Sequence, residues 1–155
     1  MRPSSSPKDT WHQSTRRGNT EYELACYGDA IVFHNQALDH ARHQFTVCGH
    51  CCFGQALSKV LISYFSLADC YRALHQSSRA GRCYIDALKF LQCASQQLPP
   101  AEGALESVLQ AGSHLHTLWC EFVRECSEVP DSIGLEYHQG SQALYAALTQ
   151  HAVHH

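Results

Sequence analysis

The chain has 155 residues, 45% of them hydrophobic and 16% charged, a composition that suits one globular domain and excludes a disordered chain. A formal net charge of -3 and a pI near 6.4 argue against a nucleic-acid-binding surface. No apolar run is long enough to cross a bilayer and no segment resembles a signal peptide, so we expect a cytoplasmic protein without a membrane partner.

The cysteine content supports the same location. Nine cysteines is an odd number, and most of them fall within helical patterns. Small secreted domains use even sets of cysteines as disulfide frameworks. We therefore expect reduced thiols that pack as small hydrophobic side chains.

The first half of the chain predicts three helices. Residues 1–9 are rich in serine and proline and are predicted to be a disordered tail. Asp9 or Thr10 can cap a first helix that opens at Trp11 and runs to residue 23. A second helix begins near residue 27 and stops at Gly49. Apolar residues at helical spacing predict a third helix from about Phe53 to residue 75.

The second half predicts three more helices. Ser77 or Ser78 caps a fourth helix, which Pro99 and Pro100 terminate. One apolar stripe predicts a fifth helix over about residues 101–126, and a sixth covers about residues 132–152. Strand signals are absent, since apolar and polar residues do not alternate and no hairpin dipeptide occurs. The sequence therefore predicts an all-α domain over residues 10–152.

Two stretches of the chain share one skeleton of small and bulky residues. Small residues at fixed positions allow two helices to cross closely, and bulky residues fill the space beside them. The clearer copy consists of Tyr64, Leu67, Ala68, Tyr71, Ala80, Tyr84, Ala87 and Leu88. The weaker copy consists of Gly18, Asn19, Tyr22, Tyr27, Ala30, Ile31, His34, Ala37 and Leu38.

This skeleton resembles the tetratricopeptide repeat, a pair of antiparallel helices. The resemblance is to short, uncharacterised bacterial members of that family. It implies a right-handed solenoid of about six helices, with repeats at about residues 11–44 and 61–94 and a C-terminal helical pair at about residues 101–152. Ala30 and Ala80 are 50 residues apart, whereas a regular repeat has about 34. The second and third helices are therefore predicted to be elongated.

The resemblance also implies a function in protein–protein interaction. In this family the first helix of each pair lines a concave groove. The protein would then be an adaptor or a chaperone-like module that binds a peptide or a helix of a partner protein in this groove. The alternative is an ordinary solvated helix surface. Matched position by position, the groove residues are Thr15, Asn19, Tyr22, Phe65, Asp69 and Arg72. Tyr22 and Arg72 are the expected anchors, both largely exposed, with Arg72 free to pair with a carboxylate.

A cysteine-rich segment supplies a second hypothesis. Cys48 and Cys51 form a Cys-x2-Cys pair, preceded by His40 and His43, and Cys52 follows directly. Two thiolates and two imidazoles can hold zinc, and a thiol pair can respond to redox conditions. The spacing matches no known zinc motif, so exposed histidines and ordinary packed cysteines are the simpler interpretation.

No catalytic motif stands out in the chain. The sequence contains no nucleophile elbow, phosphate-binding loop, dinucleotide fingerprint or zinc-protease helix. We therefore expect neither an enzyme nor a cofactor. The sequence leaves the partner protein and the oligomeric state open.

Overall fold

The computed structural model describes residues 7–49 and 51–154, with side chains described for residues 10–49 and 51–151. This part of the chain is all-α, as predicted, and contains no strand. None of its helices is apolar over a length that would span a bilayer. The six helices are α1 (Pro7–Glu23), α2 (Tyr27–Cys48), α3 (Phe53–Ala73), α4 (Ser77–Gln96), α5 (Ala104–Glu125) and α6 (Asp131–His154).

Residues 7–9, which were predicted to belong to a disordered tail over residues 1–9, are part of the first helix. Helix α1 begins at Pro7, because proline is well suited to the first turn of a helix, where its missing N–H is not needed. Residues 1–6 lie outside the described part of the chain. The other helix boundaries fall within a few residues of their predicted positions.

Helices α1, α3 and α5 lie side by side in one layer. The indole Nε1 of Trp11 in α1 donates a hydrogen bond to Ser63 Oγ in α3 at 3.0 Å. On the other side of α3, the rings of Phe65 and His114 meet edge to face with centroids 5.6 Å apart, which joins α3 to α5.

Helices α2, α4 and α6 form the second layer. The rings of Phe45 in α2 and Phe90 in α4 are 4.9 Å apart. The side chain of Gln92 in α4 donates a hydrogen bond from Nε2 to the backbone oxygen of Gly140 in α6 at 2.9 Å. The core lies between the two layers, where a two-layer domain buries the apolar stripes of its helices.

The first two helix pairs repeat one geometry. Each turn places a single residue in the left-handed region, Ala25 with φ 60° and His75 with φ 59°. The backbone hydrogen bonds that close the two turns follow the same pattern. At the helix crossings, Ala30 and Ala80 are both fully buried. The two copies of the skeleton therefore form two equivalent helical hairpins.

The long connection between these hairpins is helical almost throughout. Helix α2 continues to Cys48 and α3 starts at Phe53, so the chain reverses between these two residues, close to the predicted helix ends at Gly49 and Phe53. The rings of Phe45 and Phe53 pack 5.7 Å apart across the reversal, and Leu57 is buried in the same seam.

The C-terminal pair does not repeat the hairpin geometry. Helix α6 lies closest to α4 rather than to α5. Glycines allow this approach, because a Cβ added to Gly81 would lie 2.7 Å from Ile133, and one added to Gly140 would lie 2.9 Å from Leu88. Helices α5 and α6 thus both pack on α4.

Candidate functional site

The outer surface of α1, α3 and α5, here called the α1/α3/α5 face, carries the predicted groove residues. On α3 the residues Ile62, Phe65, Asp69 and Arg72 follow one another at helical spacing and lie on the same side of the helix. Neighbouring side chains come from α1 and α5. The three helices run parallel, and along their common direction the face changes from apolar at Ile62 and Phe65 to charged at Asp69 and Arg72.

Helix α1 contributes one substantial binding side chain. Tyr22 is 38% exposed and its ring packs against Tyr27 at 5.2 Å. Partial burial raises the pKa of the Tyr22 hydroxyl, and the negative charge of Asp69 raises it further. Asn19 is exposed, whereas the Thr15 hydroxyl is buried without a hydrogen-bond partner. Tyr22 is therefore available to a ligand, as predicted, and Thr15 is not.

Arg72 differs from the expectation of a free anchor. Its guanidinium forms an ion pair with Glu125 of α5, and the Arg72 side chain is only 25% exposed. The same group lies over the Phe122 ring, with its carbon 5.7 Å from the ring centroid. A side chain held from two sides is a link between α3 and α5, so Arg72 is not free to receive a carboxylate from a partner.

Asp69, a charged group on this face, is not held by an ion pair of this kind. Among the described residues it makes no salt bridge. Neighbouring helices desolvate its carboxyl and raise its pKa, while the positive charge of Arg72 opposes the rise. A partly desolvated carboxylate without an ion-pair partner favours a basic group on a ligand.

A groove runs between α3 and α5 beside these residues. Its cavity has a volume of about 270 Å³ and includes Leu61, Ile62, Phe65, Gln110 and His114 in its lining. Ile62 is 43% exposed although it is a large aliphatic side chain. This mixture of aliphatic and aromatic side chains with a few polar groups is typical of sites that receive an apolar side chain.

Sequence reasoning missed Ile62, His114 and Glu125. A signal for Ile62 was present, because it lies one turn before Phe65 on the same side of α3. For α5 the signal was weaker. The fifth helix lacks the small-residue skeleton of the two repeats, so no position of α5 could be matched to the groove.

The predicted metal ligands do not come together. His40 is half-buried in α2, while His43, Cys48 and Cys51 are exposed. Among the described residues, the one group of three potential ligands within 4.8 Å of one another consists of Glu21, Cys26 and Asp29. His50, which lies inside the cysteine-rich segment, is outside the described residues.

No protein-family model, curated protein or solved structure matches this chain. The likeness to tetratricopeptide repeats therefore depends only on the sequence pattern and on the equivalent geometry of the first two hairpins. Any function must therefore be inferred from the residues of the α1/α3/α5 face itself.

Proposed function

We propose that this protein is an interaction module that binds a peptide or helical segment of another protein on its α1/α3/α5 face. The observation that carries the proposal is the groove between α3 and α5, where Ile62 remains exposed beside Phe65 and His114. Exposed apolar side chains in a groove are typical of surfaces that receive amphipathic segments.

The charges on the face specify the chemistry of the segment. Asp69 lies seven residues after Ile62 on α3, which is about 10 Å along the helix axis. A ligand that inserts an apolar side chain beside Ile62 can therefore present a lysine or arginine to Asp69. In an extended segment of the polyproline II type, which has three residues per turn, two side chains three residues apart lie on one side and about 9 Å apart. Tyr22 lies next to Asp69, so its ring can contact the part of the ligand that carries the lysine or arginine.

Replacing Ile62 with lysine tests this function. Peptides selected from a random library on the native protein would be labelled, and their affinity measured by fluorescence anisotropy. We expect Ile62→Lys to weaken the selected peptides by at least about 2 kcal/mol, roughly 30-fold, because it places a charge in the apolar part of the groove.

Val32→Lys is the matched control. Val32 is an exposed aliphatic residue on α2, in the other layer of the protein. This variant should bind the peptides with native affinity. Equal affinity of the Ile62→Lys and native proteins would contradict the proposal.

A second candidate is a redox-responsive thiol pair at the α2–α3 turn. The backbone N–H of Cys51 donates a hydrogen bond to the oxygen of Cys48 at 3.2 Å. Such a turn brings the two Cα atoms within about 7 Å, near the span of a disulfide. An oxidised low-molecular-weight disulfide would accept the two electrons and two protons released when the Cys48 and Cys51 thiols join.

Thiol labelling with mass mapping tests the pair. Cys48, Cys51 and Cys52 are exposed and should react early, together with the other exposed thiols Cys26, Cys93 and Cys120. Burial raises the pKa of Cys70 to about 11 and that of Cys83 to about 12, so these thiols hold little thiolate at neutral pH and should react last. If glutathione disulfide produces no Cys48–Cys51 bond in the native protein, the redox candidate is wrong.

A further inference from the structure

The C-terminal half of the chain contains two long segments without formal charge. Residues 107–120 of α5 and residues 137–155 contain no aspartate, glutamate, lysine or arginine. By contrast, the single helix α4 carries Arg79, Arg82, Asp86 and Lys89. Solvated helix surfaces usually carry charges of both signs, whereas the centres of protein interfaces are depleted of them.

Residues of both segments line one apolar cleft, here called the α5/α6 cleft. The cleft has a volume of about 460 Å³, and its lining includes Leu109, Tyr137, Leu144 and Leu148 but no formally charged residue. It exists because α6 lies closest to α4, so that α5 and α6 meet through Tyr137, whose ring stacks on Trp119 at 4.1 Å and whose hydroxyl lies 3.3 Å from His116 Nδ1.

A large aromatic side chain stands at the rim of the cleft. Tyr145 is 76% exposed, and Leu109 on the opposite rim is 47% exposed. The outward surface of α6 beside Tyr145 carries only small or uncharged polar residues, all exposed: His138, Gln139, Gln142, Ala143, Ala146, Thr149 and Gln150. The surface thus combines a protruding ring, an adjacent apolar cavity and small side chains that permit close helix contact.

We propose that the α5/α6 cleft and the adjoining surface of α6 bind a second copy of this chain in a twofold-symmetric dimer. In such a dimer the same patch serves both partners, so a patch must be complementary to itself. Here the protruding Tyr145 of one copy and the cleft beside Tyr145 of the other copy supply the two complementary parts.

The missing charges point to a second copy rather than to a different protein. Near a twofold axis each side chain lies close to its own copy, so any charge there meets a like charge and is repelled. Glutamine, threonine and tyrosine side chains both donate and accept hydrogen bonds, so they can pair with their own copies. A surface selected for a different protein would gain specificity from charges, which this surface lacks.

Sedimentation equilibrium of the full chain tests the dimer. The measurement would cover about 1 to 100 μM, the range in which a dimer of micromolar affinity dissociates. A reducing agent is required, because Cys120 on α5 and the other exposed thiols could otherwise form intermolecular disulfides. We expect a reversible monomer–dimer equilibrium.

Two variants locate the interface. Tyr145→Lys and Leu109→Lys should each weaken the dimer at least about tenfold, since each places a charge in its centre. Val32→Lys on α2 should leave the dimer unchanged. Circular dichroism confirms that each variant is folded, and two separate sites keep the test valid if one variant unfolds.

The other outcomes overturn the proposal. A native protein that stays monomeric at about 100 μM, above the range of weak specific dimers, has no such interface. A dimer that survives both lysine variants uses another surface. Assemblies larger than a dimer would show that the contact is not closed by twofold symmetry.

Discussion

Replacing Phe122 with alanine should lower the free energy of unfolding by about 3–5 kcal/mol. The Phe122 side chain is fully buried. Its ring centroid lies 5.1 Å from that of Tyr84 and 5.6 Å from that of Trp119. The guanidinium of Arg72 covers the ring from the side of α3. Truncation would leave a cavity where α3, α4 and α5 meet, and such cavities collapse only in part.

Urea denaturation of the native protein and of two variants measures this effect. Val123→Ala is the matched control, because Val123 is the next residue on α5 and is exposed. This surface change should alter stability by less than about 0.5 kcal/mol. A similarly small change for Phe122→Ala would mean that α5 is not part of the cooperative core formed by the two hairpins.

Two glycines should respond to a larger side chain with opposite signs. Gly81 of α4 is buried, and a Cβ there would lie 2.7 Å from Ile133 Cγ2 and 3.5 Å from Phe122 Cε2. Gly81→Leu should therefore overpack the crossing of α4 and α6 and cost about 1–3 kcal/mol. Around Gly134 of α6 no atom lies within 4 Å of an added Cβ. Gly134→Ala should stabilise the helix by about 0.5–1 kcal/mol.

Thermal unfolding of both variants, followed by circular dichroism, separates the two effects. Gly81→Leu should melt below the native protein and Gly134→Ala above it. If Gly81→Leu melted at the native temperature, the close packing of α6 on α4 would be wrong. A loss of stability in Gly134→Ala would show that Gly134 has a contact that its open surroundings do not indicate.

The amino-acid pattern alone predicts the helices and the two equivalent hairpins. Apolar spacing identifies each helix, because the residues that define a helical face lie within a few turns of one another. The matched alanines predict the hairpins for a similar reason. A close crossing requires small residues at the point of contact. Ala68 and Ala80 lie on consecutive helices of one hairpin, so their contact can be predicted from local sequence. Both are fully buried, as this argument requires.

The candidate site was predicted only in part. Tyr22 and Asp69 lie on the α1/α3/α5 face and are exposed, so matching the repeats identified their positions correctly. The same matching could not show that Arg72 is held by Glu125, because the two residues are 53 positions apart. Their distance depends on how α5 packs on α3, and α5 lacks the repeat skeleton.

The arrangement of the last two helices could not be predicted from the sequence, because it depends on packing between distant parts of the chain. Apolar stripes on α5 and α6 predict that each helix packs on something, but a stripe does not specify the neighbour. Helix α6 can pack closest to α4 because Gly81 and Gly140 have no side chain where the two helices meet. Ile133 faces Gly81 and Leu88 faces Gly140. A missing side chain stabilises a contact only when another helix occupies the space, and that space exists only after the chain has folded.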